Sequence, residues 1–157
     1  MSIRERLEDA ILLWTHGRKH GAWIQVLIAT AATSRRRFPN KRDGEAFKAF
    51  VREVTPTIND VNVSAIPGGV TVIFNADGQN KVALHDVMYK HLRCTLIHEG
   101  AMPTEVVFSE AREENGQLIG QIRCGDPLMI PDFWVLNLAK AVADAPENAV
   151  SCAGLFK

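Results

Sequence analysis

Residues 89–100 read YKHLRCTLIHEG and hold Tyr89, His91, Arg93 and His98 within twelve positions. An imidazole titrates near neutral pH and can take or give a proton during a reaction. A guanidinium stays charged and can hold a phosphate in a fork while negative charge builds on it. A tyrosine adds a hydroxyl donor or a face on which a base can stack. Arg93 and His98 therefore suit metal-free acid–base chemistry beside an anion. Their spacing sets a condition, because five residues correspond to roughly 140° around an ideal α-helix. A joint site needs the arginine to reach round the helix, or a second copy of the helix. His85, Tyr89 and Arg93, at i, i+4 and i+8, do share one face.

The same residues have structural readings. Arg93 can pair with Glu99, Glu53 or a helix-terminal carbonyl, and His98 can complement the dipole at a helix C-terminus. Cys94 lies in a helix beside apolar residues, and the cations around it are the only reason to consider its thiolate.

The elements that must position these groups follow from apolar spacing. A helix is expected from Leu84 to about Glu99, with Leu84, Val87, Met88, Leu92 and Leu96 on its apolar stripe and Gly100 ending it. Four more are expected. The first covers 3–14, with Ile3, Leu7, Ala10, Ile11 and Trp14 on one side. The second covers 22–37, nearly uncharged until Arg35, Arg36 and Arg37 meet its negative end. The third covers 43–54, with Asp43 as N-cap and Pro56 as stop, and the last runs from Pro131–Asp132 to Pro146. Between 57 and 82 the segments VNVSAI, PGG, VTVIFN and ADGQNK read as two short strands around a turn. Strands at 104–111 and 116–124, flanking REEN (112–115), give a second hairpin. The tail 147–157 is expected to be loosely held, with Leu155 and Phe156 able to dock. The expected whole is one domain, 1–157, mainly α: a bundle of about five helices with two small β-hairpin insertions.

An arginine and a histidine separated by four residues, RCTLIH, on the fourth helix of a small α-bundle resemble the HEPN superfamily. Tyr89 one turn earlier and HEG at the helix end add to the likeness. The resemblance implies a HEPN-like bundle that dimerises across this helix and, in many members, a metal-independent ribonuclease. It implies Arg93 and His98 as the catalytic pair with Tyr89 beside them, and two symmetry-related copies lining one cleft. It also implies RNA or a nucleotide as ligand and no cofactor, in a toxin–antitoxin or phage-defence setting with an antitoxin-like partner protein. In catalytic members the residue after the arginine is typically Asn, Asp or His; here it is Cys94. Two functions follow: a ribonuclease, or the same fold as a non-catalytic module binding RNA, nucleotide or protein. Cys94 favours the second.

Two basic stretches remain. SRRRFPNKR (34–42) carries Arg35, Arg36, Arg37, Lys41 and Arg42 with no acid, so it is either a nucleic-acid-binding patch or a solvated helix end. HGRKHG (16–21) would need to be helical for His16 and His20 to share a metal, and its two glycines oppose that. No metal site is expected. Eighteen Lys and Arg balance eighteen Asp and Glu, so any polyanion site must come from local clustering. Cys94, Cys124 and Cys152 form no close pair, which fits a reducing cytoplasm. The apolar run 22–32 is shorter than the ~20 residues a bilayer requires, so no membrane association is expected.

Overall fold

Helix α1 (Ile3–Thr15) starts on a capping box, in which the Ser2 hydroxyl accepts from the Glu5 amide at 3.2 Å and the Glu5 carboxylate accepts from the Ser2 amide. The computed structural model describes residues 1–58, 73–75, 81–110, 112–123 and 127–156. Gly17, at φ 71°, turns the chain, and α2 (Lys19–Arg37) runs back against α1. The break needs that one glycine. Gly21 lies inside α2, where a Cβ would stand 3.3 Å from the Leu13 side chain, so it marks a close helix crossing. Helix α2 begins three residues before the expected start at 22.

Helix α2 is central, packing on α1, α3 (Asp43–Ile58) and α5 (Trp134–Asp144), with Trp23, Val26 and Leu27 fully buried. Its buried Thr30 and Thr33 hydroxyls donate to the carbonyls of Val26 and Ala29, so neither enters the core unsatisfied. Helix α3 buries Ala46, Phe47, Phe50 and Val51 as expected. It does not stop before Pro56 but carries it inside the last turn. A proline there forfeits a single ladder bond, while Pro56 and Ile58 stay buried, so packing outweighs the loss.

Helix α4 has three parts: an α-turn at Leu84–Val87, a nine-residue π-helix at Met88–Leu96 and a final α-turn at Ile97–Glu99. Gly100 ends it in the left-handed region, φ 66°, as its position predicts. Leu84, Val87, Met88, Leu92 and Leu96 are all buried, so the apolar stripe holds although the ladder is not the expected one. Five helices among the described residues form a mainly α structure, as the spacing predicts.

The strands are arranged differently from expectation. β1 (Ile73–Asn75) pairs antiparallel with β2 (Lys81–Ala83), which leads directly into α4. The strand expected at 61–66 lies outside the described residues, as does Cys124. In the second insertion, β4 (Arg112–Glu114) and β5 (Gln117–Ile119) form the hairpin, so most of REEN is strand rather than turn. The turn is Asn115–Gly116, both at positive φ, which suits the twist of a two-residue hairpin. β3 (Val106–Ser109) instead pairs in parallel with β6 (Leu128–Pro131), a strand the apolar spacing did not announce.

The tail is tied down. Asn148 is buried and donates to Thr33 Oγ1 and to the Val142 carbonyl, both at 2.8 Å. Arg4 of α1 donates to the Ser151 and Ala153 carbonyls at 3.0 and 3.3 Å, while Leu155 and Phe156 pack against the core. Among the described residues no helix is long and apolar enough to cross a membrane.

Candidate functional site

The expected site sits on the π-helix. Turns closed through five residues bring positions i and i+5 nearer to a common face than α-turns do, so the 140° between Arg93 and His98 overstates their separation. Packing nevertheless separates their environments. Arg93 turns toward α3 and is 20% exposed, whereas His98 is exposed in the last α-turn.

Arg93 is held from three sides. Its Nη2 donates to Asp43 Oδ2 at 2.6 Å, and its guanidinium lies 5.7 Å from the Phe47 ring and 5.5 Å from the Tyr89 ring. The partner is Asp43, not the Glu99, Glu53 or carbonyl of the structural alternatives. Asp43 was read as an N-cap, and nothing local in sequence links it to a side chain on α4. The Nε of Arg93 is buried with no hydrogen-bond partner among the described residues.

Tyr89 packs its ring on Phe47, 5.8 Å between centroids, and Lys48 lies over its other side at 6.0 Å. Its hydroxyl stands where a Cβ on Gly44 would be 2.6 Å away, so the first turn of α3 accepts the tyrosine only because residue 44 has no side chain. One helical turn before Tyr89, His85 is buried with Nε2 3.2 Å from Arg52 Nη2 and 3.6 Å from Asp86 Oδ2. Arg52 can only donate, so Nε2 accepts and the ring is neutral with its proton on Nδ1. Nδ1 has no partner among the described residues. Burial pushes the imidazole below its usual value, with Asp86 opposing the shift and Arg52 and Lys48 adding to it. The face shared by His85, Tyr89 and Arg93 is thus an interface with α3. His91 is half-buried and Cys94 is a half-buried free thiol.

The basic stretch divides. Arg37 is committed: it donates to both Glu147 oxygens at 2.9 Å and to Glu53 at 2.9 Å, with its guanidinium 5.0 Å from the Phe50 ring. Those bonds hold the Glu147 carboxyl below the usual carboxylate range. Arg36 donates to the Asn148 amide oxygen at 3.3 Å, which leaves its charge uncompensated. Arg35, Lys41 and Arg42 are exposed and have no carboxylate partner among the described residues; Lys41 lies 5.9 Å from the Phe38 ring. Among the described residues no group of three or more His, Cys, Asp or Glu could hold a metal ion.

A charged pair that the spacing did not reveal lies elsewhere. Lys19 at the start of α2 donates to Asp132, a fully buried carboxylate just after β6. The two are 113 residues apart, so no short-range pattern signals them.

The fold and these sites define a mainly helical bundle with a π-helical fourth helix, a basic corner between its second and third helices, and a small mixed β-region. The chain belongs to the Rv1289 family, whose family model matches residues 2–153. No curated protein and no solved structure matches it.

Proposed function

We propose that this chain is a non-catalytic, HEPN-like RNA-binding module that holds a phosphate backbone at the α2–α3 corner. The observation that carries the reading is the contrast between two sets of cations. Arg93, the arginine suited to catalysis, is neutralised by Asp43 and covered by two rings. Arg35, Lys41 and Arg42 are exposed without a carboxylate partner among the described residues, and Arg36 adds a fourth uncompensated charge. Exposed cations clustered on one corner release counterions from a polyanion and give salt-dependent affinity. A HEPN-like homodimer would present the corner twice.

The test is fluorescence anisotropy with single-stranded RNA, comparing wild type with the triple variant Arg35→Glu/Lys41→Glu/Arg42→Glu. Arg36 is left intact because it also supports the tail. Three phosphate contacts correspond to a log–log salt slope of about −2, which the variant should lose with most of the affinity. Equal binding by wild type and variant removes the reading.

A second reading, a metal-independent ribonuclease acting across a homodimer, is favoured by the exposure of His98 and by the wider turns between it and Arg93. It predicts RNA cleavage in EDTA that is lost in His98→Ala and in Arg93→Ala. The binding reading predicts no cleavage by the wild type. A monomer on gel filtration at micromolar concentration removes the composite cleft.

A further inference from the structure

The HGRKHG stretch, unused above, opens α2 beside a cleft of about 390 Å³. Lys19 and His20 form one wall, with β3 opposite and Met102, Pro103 and Thr104 from the segment after α4 closing it. The cleft is mainly apolar. Phe108 is its aromatic floor, stacked on the buried Trp23 ring at 5.2 Å and 6° and tilted against His20 at 6.0 Å. That ring cannot move freely, so the apolar surface is preformed.

Lys19 is the cation in this wall. Its ammonium donates to Asp132, which is fully buried behind it, and lies 5.4 Å from the Trp14 ring, while its side chain stays 32% exposed. An ammonium has three N–H donors, and the bond to Asp132 uses one. A lysine fixed by a buried carboxylate has already lost its rotamer freedom, so an anion reaching it does not bear that ordering cost. Two carboxylates line the cleft: Asp132, whose charge the Lys19 ammonium offsets, and Glu110 on the rim, which is exposed and screened by water. A preformed apolar cleft of this size with one oriented charge fits a small ligand rather than a polymer.

We propose that this cleft binds a small amphipathic carboxylate, its head on the Lys19 ammonium and its apolar body along Phe108, Val107 and Met102. The site is separate from the basic corner at 35–42 and independent of RNA binding.

Octanoate is the probe, titrated into the full chain by isothermal calorimetry, with octylamine as the control of equal length and opposite charge. Saturable one-to-one binding of octanoate is expected, with octylamine weaker by about tenfold or more, since a hydrogen bond between charged groups is at stake. Lys19→Met takes a cation from a fully buried carboxylate and can unfold the chain, so two variants preserve the ion pair. Val107→Glu places a carboxylate in the apolar wall and should weaken octanoate about tenfold. Lys19→Arg should retain binding. No saturable octanoate binding, equal affinity for octylamine, or unchanged affinity in Val107→Glu would each overturn the assignment.

Discussion

Arg93 reaches Asp43 from 50 residues further along the chain, and both side chains keep some contact with water, 20% and 41% exposed. A part-exposed ion pair contributes up to about 1 kcal/mol, and two aromatic faces add roughly 0.5–1 kcal/mol. Arg93→Ala should therefore lower the unfolding free energy by about 1–2 kcal/mol in urea titrations. Lysine at 93 should recover less than half, because a point charge does not stack as a plane. A double-mutant cycle with Asp43→Ala should give a coupling of about 1 kcal/mol. His85 offers a pH test. Its folded-state pKa lies below the ordinary 6.5, so the unfolded chain takes up a proton first as pH falls. The stability tied to this group is complete above 6.5 and is lost as pH drops through the lower, folded value. His85→Leu should flatten the urea midpoint between about pH 7 and pH 5. The charged groups facing the ring are Asp86, Arg52 and Lys48. An unchanged midpoint profile in the variant would remove His85 as its source.

Among the elements, the helices were legible and the strands were not, for physical reasons. Helical burial repeats along one segment, so Leu84, Met88, Leu92 and Leu96 announce their face from spacing alone. The ladder beneath that face is less visible. An apolar residue every four positions suits α- and π-turns about equally, so the nine-residue π-helix could not be read from it. The hairpin turn is carried by Asn115–Gly116, whereas the expected strands leave the whole of the charged REEN between them. Strand β6 depends on a partner 22 residues away, which no local pattern encodes. The tail is the element whose role can be tested most directly. Asn148→Ala removes three hydrogen bonds, leaving Thr33 and the Val142 carbonyl short of a donor and Arg36 short of an acceptor. A loss of about 2 kcal/mol is expected in urea denaturation. A loss below about 0.5 kcal/mol would mean that the tail packs without this anchor.

At the level of the whole molecule, the candidate site was half legible. Residue types singled out Arg93, Tyr89 and the 35–42 cations, but which charges are neutralised depends on Asp43, Glu53 and Glu147 arriving from other elements. The parallel pairing of β3 with β6 carries a consequence in time. Parallel strands normally close over a helix, whose local contacts form early. Here a hairpin fills the interval, and the pair is completed when Asp132 N–H reaches the Ser109 carbonyl at 3.0 Å. Within the insertion the strands are linked through the Arg123–Met129 bridge and the Ser109–Gln121 hydrogen bonds, but their own pairing spans 22 residues, so this ladder is expected to close late and open early. Hydrogen exchange should find the amides of Leu128 and Asp132 opening at lower free energy than those of Val26 and Leu27 in α2. Because Lys19 meets Asp132 beside that ladder, the octanoate cleft would be assembled only at the end of folding, and its ligand would slow the first step of coming apart.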